Sequence, residues 1–331
     1  MKGNLANKIV VIGAGIAGLS FQYFLAKNGI DCILIDMKKE IGKPIKDSGL
    51  ISNKIFELIP LDKEMLVEES FRYADFIFGN SKFRIFSKKS EMNIVKRDLV
   101  DKQILELTQT LIKPKIFLNT IAISFKNNYV ITNKGKFEYD LLIGADGTFS
   151  IVSKWFKMNE NVSFFISEEA IVETKNENKS IELYFGKEYS KTHFLWKIYY
   201  DKRMKIGYID KHINKNFNKR ITGQLIYKYA DLIKIGKTSL QKGNVLLIGE
   251  ASGIVKPFSL GGITYSVITS KIASEVISKE LDLKEYKILT EKFFKIPLFI
   301  GKTAKKLIKL NKIIKLFSIY KLASLFHPDF I

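Results

Sequence analysis

The apolar positions at the beginning of the chain fall into two short runs separated by a helical pattern. The first run covers residues 9–12 and leads into the glycine-rich segment GAGIAG at 13–18. A stretch with helical apolar spacing follows until Gly29, and the second run, residues 32–35, stops at Asp36. Runs of this length, bounded by glycine and an acid, are typical of buried parallel strands. The pattern predicts a strand–helix–strand unit.

Two later apolar runs have the same form and are expected to return to the same sheet. Residues 140–144 lead into Asp146-Gly147, and residues 245–248 lead into Gly249-Glu250. The second of these is followed by a proline and by paired glycines that open another helical pattern. The chain thus predicts one parallel sheet built from widely separated segments.

Between these segments, polar and apolar residues alternate with a period of two. The runs are SKFRIF (81–86), SIELYFG (180–186), HFLWKIYY (193–200) and MKIGYID (204–210). This alternation predicts the strands of an antiparallel sheet. The last two runs are close enough to form a hairpin around residues 201–203.

The glycines of the first unit have the spacing of a phosphate-binding turn. Gly13 permits a tight turn, Gly15 lets the backbone approach a pyrophosphate, and Gly18 lets the helix pack against the strand. The free N–H groups at the start of the helix attract phosphate. Asp36, at the end of the second strand, is placed to accept hydrogen bonds from a ribose diol. We therefore predict a dinucleotide-binding site.

The later segments decide which dinucleotide is expected. Asp146-Gly147 would lie near the pyrophosphate, and Glu250 would accept hydrogen bonds from ribityl hydroxyls. Pro257 would shape the loop, and a helix opening at Gly261-Gly262 would direct its positive end at the pyrimidine edge of a flavin. A nicotinamide dehydrogenase has no need for these repeated returns to the sheet. The predicted cofactor is FAD.

The three blocks GAGIAG, LLIGADGTFS and LLIGEASGIVKPFSLGG resemble those of FAD-dependent oxidoreductases of the aromatic-hydroxylase type. Within that group the chain is most similar to the geranylgeranyl reductase family, in order from residue 8 to about residue 280. SGLIS (48–52), KRDLVD (96–101) and the hairpin around Trp196 also resemble segments of that family. The cofactor contacts that the motifs and this resemblance imply are Gly13, Gly15, Ala17, Gly18, Asp36, Lys46, Asp47, Ser48, Gly49, Arg97, Ala122, Asp146, Gly147, Gly249, Glu250, Pro257, Gly261, Gly262 and Ile263.

The resemblance has departures at positions that bear on chemistry. Asp47 stands where the family has a cysteine beside the flavin, and Glu250 stands where it has an aspartate. Asp47 is the candidate acid for catalysis by its position; a water molecule or the flavin itself are the alternatives. Trp196, Tyr184 and Tyr199 are either core residues or the lining of an apolar substrate tunnel.

The predicted fold class is α/β, a Rossmann-type FAD-binding domain with an inserted antiparallel β-sheet substrate lobe and a helical C-terminal tail. The FAD-binding domain would comprise residues 1–70, 95–160 and 240–282. The substrate lobe would comprise residues 71–94 and 161–239, and the tail residues 283–331.

The charge and composition of the chain restrict the classes of binding partner that we expect. The net charge is +20, but nearly all of it is lysine, and arginine occurs only at positions 72, 84, 97, 203 and 220. Because arginine is the residue that forks onto phosphates and base edges, nucleic acid is not the expected partner. The scattered histidines and the single Cys32 predict no metal site. The N-terminus enters a strand without a signal-peptide segment, which predicts a cytoplasmic protein.

The tail concentrates positive charge. Residues 284–331 hold eleven lysines against three acidic residues, which is +8 of the +20. One face of a helix starting near residue 302 would carry Lys302, Lys305, Lys306, Lys309 and Lys312, with Ala304, Leu307, Ile308 and Ile314 opposite. Such a helix either packs on the protein or adheres to the inner surface of an anionic membrane.

The resemblance implies reduction of prenyl-chain double bonds, as in geranylgeranyl groups of isoprenoid ether lipids or their precursors. The substrate would be a prenyl lipid or a prenyl diphosphate, and the electron donor NAD(P)H or a ferredoxin. The alternative is an FAD-dependent monooxygenase or oxidase of a small or aromatic substrate. A third hypothesis is a flavin-bound protein without turnover that acts as a membrane or complex partner.

Overall fold

A computed structural model describes residues 8–86 and 91–309 of the chain. The strands are β1 (Ile9–Ile12), β2 (Ile33–Ile35), β3 (Leu50–Ser52), β4 (Val67–Phe71), β5 (Tyr73–Phe78), β6 (Ser81–Phe86), β7 (Met92–Val95), β8 (Lys115–Phe117), β9 (Ala122–Lys126), β10 (Tyr129–Thr132), β11 (Gly135–Glu138), β12 (Leu141–Gly144), β13 (Asn159–Glu173), β14 (Ser180–Phe185), β15 (Leu195–Tyr200), β16 (Arg203–Asp210), β17 (Leu225–Thr238), β18 (Gln241–Lys242) and β19 (Val245–Leu247). The helices are α1 (Ile16–Ala26), α2 (Lys54–Leu58), α3 (Lys63–Leu66), α4 (Arg97–Gln109), α5 (Ile151–Trp155), α6 (Ile263–Ser278) and α7 (Lys284–Lys309). Short 3₁₀ turns cover Asn218–Arg220 and Gly249–Ser252.

One layer of the structure is built around a largely parallel sheet. In the described chain its order is β18-β19-β12-β1-β2-β8, and its pairs are parallel except for β18 with β19. Strands β1, β12 and β19 are buried along their length because both faces are covered. Ile9 and Val11 face the core shared with α1, α4 and α6, whereas Val10 and Ile12 face the small sheet β11-β10-β9 and α5.

A second, mostly antiparallel sheet forms a separate layer. Its order among the described strands is β17-β13-β16-β15-β14-β5-β6, and only β14 with β5 is parallel. The predicted hairpin is present, with Asp201 and Lys202 both at positive φ in the turn between β15 and β16. Strands β13 and β17, which the period-two pattern did not predict, pair along most of their length.

The two faces of this second sheet pack differently. We call the inner face the one whose aromatic side chains pack on the loop 255–260, with Trp196 among them. We call the outer face the one carrying Leu195, Ile206 and Tyr208. A further sheet, β3-β7-β4, joins the segment after residue 48 to the start of α4. The inner face therefore lies towards the segments that the sequence assigns to the cofactor.

Helix α7 closes the structure against α6 and the loop before it. The Tyr286 hydroxyl donates to the Leu247 carbonyl oxygen at 2.6 Å, and the rings of Phe294 and Tyr265 pack at 4.6 Å. The helix begins at Lys284, one residue after the start expected for the helical tail and eighteen residues before the lysine-rich face expected from residue 302. The side chains of residues 307–309 and all residues from 310 onward, including Lys312 and Ile314, lie outside the described part. In the residues that are described, none of the helices is both long enough and apolar enough to span a membrane.

Candidate active site

The glycine turn, residues 13–18, has no room for side chains at two of its positions. Gly13 has φ +109°, and a Cβ there would lie 2.3 Å from the Ala145 carbonyl oxygen. A Cβ on Gly18 would lie 1.9 Å from the Gly13 carbonyl oxygen. The Gly13 N–H donates to the Ile35 carbonyl oxygen at 2.8 Å, which draws the turn over the sheet. Both glycines are thus required by the fold, as the spacing predicts.

Gly15 differs because the space beside it is open. Among the residues that the structure describes, a Cβ there would meet only the Lys38 Nζ, at 3.8 Å. Gly15 is the N-cap of α1 and no side chain of the described residues caps this helix end, so its first N–H groups are available to a ligand. Ala17, one residue into the helix after Ile16, is buried against Gly249. An open helix N-terminus with a lysine beside it fits a pyrophosphate.

Asp36 connects the glycine turn to the next loop. One carboxylate oxygen accepts from the Ala14 N–H at 2.6 Å, and the other from the Lys38 N–H at 2.8 Å. Its own carbonyl oxygen accepts from the Thr120 N–H at 2.9 Å, which brings the beginning of β9 and Ala122 to the same end of the sheet. Asp36 and Ala122 therefore lie together at the side of the turn where an adenosine would be held.

Asp146 lies directly against the glycine turn. A Cβ on Gly13 would be 2.9 Å from the Asp146 backbone nitrogen. One Asp146 carboxylate oxygen accepts from the Ile151 N–H at 2.7 Å, and the other is buried with no hydrogen-bond partner among the described residues. Burial raises the pKa of Asp146. A buried acceptor without a partner beside a phosphate-binding turn fits a hydroxyl of a bound cofactor, and Gly147, at φ +71°, has open space beside it.

Glu250 is already engaged through one carboxylate oxygen. Its Oε1 accepts from the Thr148 hydroxyl at 2.7 Å and from the Lys234 N–H at 3.1 Å, and burial raises its pKa. Gly249, at φ +59°, donates its N–H to the Thr269 hydroxyl at 2.9 Å. The third block is therefore tied to α6 and to β17, and the ribityl contact of Glu250 remains a prediction.

The start of α6 is open in the same way as the start of α1. Gly262 is its N-cap without a side-chain cap, and Ile263 is its first residue. A Cβ on Gly261 would have no atom of the described residues closer than 3.5 Å. Pro257 instead packs against α7, where its Cδ lies 2.8 Å from the Cβ position of Gly301. Pro257 thus contacts α7, whereas Gly261 and Gly262 leave the N-terminus of α6 accessible to a flavin ring.

Asp47 and Arg97 form one ion pair, and Asp101 extends it. Arg97 Nε donates to an Asp47 carboxylate oxygen at 2.9 Å, and Nη1 donates to Asp101 at 2.7 Å. The second Asp47 oxygen accepts from the Gly49 N–H at 2.9 Å. Burial alone would lower the pKa of Arg97, but the charges of Asp101 and Asp47 raise it above its usual value. Asp47 is therefore held by a charged guanidinium on one oxygen and by a backbone N–H on the other, which makes it the ion-pair partner of Arg97.

The neighbouring residues of this loop are held from the second sheet. The Lys205 Nζ donates to the Ser48 carbonyl oxygen at 2.6 Å, and Lys46 lies 3.9 Å from Asp231. Gly49 has φ +65°, and a Cβ there would be 2.9 Å from the Val95 carbonyl oxygen. The loop 46–49 is therefore fixed between α4 and the inner face of the sheet.

The three predicted substrate residues do not lie together. Trp196 is on the inner face, where its Nε1 donates to Glu169 at 2.9 Å. Tyr184 and Tyr199 are on the outer face, because Tyr184 pairs with Leu195 and Tyr199 lies three residues from Trp196 in the same strand. The inclusion of Tyr184 and Tyr199 in a tunnel with Trp196 is wrong, since side chains alternate between the faces of a strand.

The sequence interpretation also missed polar residues on the inner face. Glu169 and Lys205 are buried there, and Tyr229 donates its hydroxyl to Glu169 at 3.1 Å. The sequence signal for Lys205 was the period-two alternation of β16. Lys205 lies between Met204 and Ile206, which are both buried, so its side chain is predicted to point to the opposite face of the sheet. The sequence alone does not tell whether that opposite face is exposed.

Comparisons with known proteins bear on the family resemblance and on the fold. Residues 11–51 match the model of an NAD(P)-binding Rossmann-like domain. The chain is 26% identical to a digeranylgeranylglycerophospholipid reductase of Methanococcus vannielii, covering 84% of this chain and 78% of that protein. It is 25% identical to the protein of the same name in Methanocaldococcus jannaschii, with the same coverage of both chains. The resemblance to geranylgeranyl reductases is confirmed.

Solved structures of other proteins share the fold of this chain. A geranylgeranyl bacteriochlorophyll reductase-like protein from Thermoplasma acidophilum superposes with a TM-score of 0.80, at 17% identity, over 91% of this chain and 87% of that one. PqsL, a probable FAD-dependent monooxygenase from Pseudomonas aeruginosa, gives 0.74 at 11% identity, over 95% and 100%. The predicted fold class is confirmed: the chain has the fold of flavin-dependent oxidoreductases, and the prediction of FAD agrees with it.

Proposed function

We propose that this protein is an FAD-dependent reductase of prenyl-chain double bonds, acting on geranylgeranyl groups of isoprenoid lipids or their precursors. The observation that carries this proposal is that an aromatic inner face packs on the same loop, 255–260, that leads into the open N-terminus of α6. Its support from the comparisons is the similarity to digeranylgeranylglycerophospholipid reductases over most of the chain.

The residues present fit FAD. The N-terminus of α1 would hold the pyrophosphate, with Gly15 giving access and Asp36 at the ribose end. The partnerless Asp146 oxygen would accept from a cofactor hydroxyl, and the N-terminus of α6 would stabilise negative charge on the ring. When bound, reduced FAD supplies two electrons and a proton for reduction of an alkene.

The aromatic rings of the inner face, which are buried in this structure, would form one wall of the site for a long apolar chain. Phe76, Phe185, Phe194 and Phe258 pack with ring centroids 5.4–6.3 Å apart, and Trp196 lies next to Phe194 at 6.3 Å. An aromatic wall binds prenyl groups by burial of apolar area and excludes water from the alkene. The rings belong to four segments that meet only in the tertiary structure, namely β5, β14, β15 with the residue before it, and the loop before α6.

An anaerobic reoxidation assay tests this function. The FAD of the purified protein is reduced chemically without oxygen, and a digeranylgeranylglycerophospholipid in detergent is added. Lipid-dependent reoxidation by absorbance, with a product two mass units heavier per reduced bond, is the expected result. NAD(P)H and a reduced ferredoxin are then compared as electron donors. A flavin that stays reduced until oxygen is admitted would refute the reductase and favour the monooxygenase alternative, whose fold PqsL shares.

Peripheral membrane contact through the basic C-terminal helix is also proposed. In α7, Phe293, Ile296 and Phe299 are exposed, at 49%, 60% and 69%, and the exposed Lys292 and Lys295 lie beside them. Apolar side chains flanked by lysines are typical of a helix that lies in the headgroup region of an anionic bilayer. This surface would deliver the enzyme to a lipid substrate.

Vesicle co-sedimentation tests the membrane contact. We expect the protein to bind vesicles containing anionic lipids more strongly than neutral ones, and Phe299→Glu to weaken this binding. Ile213→Glu is the matched control, because Ile213 is 70% exposed in a loop of the second sheet. Equal binding by the two variants, or no binding by the unaltered protein, would contradict the proposal.

A further inference from the structure

Four residues on neighbouring strands form one row across the inner face. Trp196 on β15 pairs with Gly207 on β16, Gly207 pairs with Glu169 on β13, and Glu169 pairs with Tyr229 on β17. A Cβ on Gly207 would lie 2.2 Å from Cζ2 of Trp196. The missing side chain lets the indole lie across β16 and reach the carboxylate beyond it.

The Glu169 carboxylate is held at both oxygens and removed from water. Trp196 Nε1 donates to Oε2 at 2.9 Å, and the Tyr229 hydroxyl donates to Oε1 at 3.1 Å. Glu169 has no exposed surface. Its burial raises its pKa, although the nearby Lys205 acts in the opposite direction. A glutamate in such a position is suited to hold a proton.

This row of four residues lies next to the loop 46–49, which is beside the expected flavin position. Lys205, which acts electrostatically on Glu169, donates to the Ser48 carbonyl oxygen, and Asp47 is close enough to influence the same carboxylate. Trp196 also packs in the aromatic cluster that contains Phe258 of the loop before α6. Glu169 is therefore a buried acid between the loop 46–49 and the aromatic wall.

We propose that Glu169 supplies the second proton of alkene reduction and recovers it from solvent through Tyr229. This inference rests on the proposed function. The π bond of the alkene breaks, and one new C–H bond takes its two electrons and its proton from the reduced cofactor. The other C–H bond forms with the proton of Glu169 as the Glu169 O–H bond breaks. The alkene is reduced and the cofactor oxidised. The Glu169 carboxylate accepts a proton from the hydroxyl of Tyr229, a residue that is partly exposed, and this hydroxyl regains a proton from water.

Glu169 fits this role better than Asp47. Asp47 accepts from the cationic Arg97 guanidinium with one oxygen and from a backbone N–H with the other, so it is held as an ion-pair partner. The donors to Glu169 are neutral groups, an indole and a phenol, and neither requires a charged carboxylate. Asp47 then acts as a positioning residue that fixes Arg97 and the loop.

The test compares Glu169→Gln and Tyr229→Phe with Glu168→Gln. Glu168 is the matched control, because it is adjacent in β13 but points to the outer face, where its Oε2 accepts from the Tyr208 hydroxyl at 3.0 Å and its Oε1 pairs with Lys228. All variants are first checked for FAD retention and thermal unfolding. In the anaerobic assay we expect lipid-dependent reoxidation to slow by about a hundredfold or more in Glu169→Gln and not in Glu168→Gln. Tyr229→Phe should slow repeated turnover more than the first turnover.

A second readout does not depend on turnover. The infrared spectrum of the oxidised protein without lipid should show a carboxylic-acid C=O band. This band should be lost in Glu169→Gln and kept in Glu168→Gln. Absence of that difference, or equal reoxidation rates in Glu169→Gln and an active unaltered protein, would overturn the assignment of Glu169. An unaltered protein that never transfers electrons to the lipid would instead overturn the proposed function.

Discussion

Gly15 and Gly18 look equivalent in the sequence of the turn, but substitution by alanine should affect the protein differently at the two positions. At Gly15, φ −88° and ψ −169° suit alanine, and the nearest atom to a new Cβ is 3.8 Å away. The reduced entropy of the unfolded chain favours the variant by about 0.4–1 kcal/mol. Alanine is a poorer N-cap than glycine, at a cost of about 0.5–1 kcal/mol. These effects nearly cancel, so Gly15→Ala should leave the stability of the cofactor-free protein within about 0.5 kcal/mol.

At Gly18 the new methyl group meets backbone. Alanine inside a helix gains about 1 kcal/mol of propensity. Its Cβ would lie 1.9 Å from the Gly13 carbonyl oxygen, which the turn itself holds in place. Overpacking costs about 1–3 kcal/mol even where flexible side chains can move, and here they cannot. We expect a net loss of about 2 kcal/mol for Gly18→Ala.

Urea unfolding with and without added FAD checks both expectations. FAD at a hundred times its dissociation constant should stabilise the unaltered protein by about 2.7 kcal/mol. Gly15→Ala should lose most of this gain, because its methyl group occupies the space beside the helix N-terminus. The reasoning would be refuted if Gly15→Ala gained as much from FAD as the unaltered protein, or if Gly18→Ala were as stable as the unaltered protein without FAD.

Three further predictions follow from buried contacts. Gly207→Ala should displace the Trp196 indole, whose Cζ2 lies 2.2 Å from the new Cβ, and cost about 1–3 kcal/mol by urea unfolding, with a change in tryptophan fluorescence; unaltered fluorescence would contradict this. Arg97→Met should cost about 3–5 kcal/mol, because it leaves the buried Asp101 carboxylate without its partner, and Arg97→Met combined with Asp101→Asn should recover part of that loss. Burial lowers the pKa of Lys234 to about 8 from the ordinary lysine value of 10.5, so the unfolded chain binds more protons between these pH values, and the free energy of unfolding should rise with pH from about 8 to 10.5. Lys234→Met should remove that rise, and an equal slope in this variant would show that other groups cause it.

The parts of the site that are local in sequence were predictable because each requirement acts within a few residues. The turn at Gly13 and Gly18, the acid at the end of β2 and the open start of α6 all appear where the pattern puts them. The fold class and the resemblance to geranylgeranyl reductases are confirmed on this basis. The domain boundaries and the individual cofactor contacts remain predictions.

The partners of charged side chains were not predictable in the same way. Arg97 was expected near the cofactor, but the sequence does not reveal that it joins Asp47 to Asp101. Asp101 is four residues away on the same helix, whereas Asp47 is fifty residues away and meets Arg97 only after β3, β7 and β4 have paired. The interpretation of Asp47 as an acid therefore depended on a contact that tertiary structure alone supplies.

The sequence by itself determined the glycine turn at residues 13–18, the returning strands of the parallel sheet and the hairpin around Trp196, because glycine geometry and side-chain periodicity are local properties of a chain. Only the tertiary structure decided which face of the second sheet lies over the cofactor segments. That decision separates Trp196 from Tyr184 and Tyr199 and buries Glu169 between Trp196 and Tyr229. The physical reason is that a strand presents alternate residues to two faces, and which face is covered depends on packing between segments far apart in the chain.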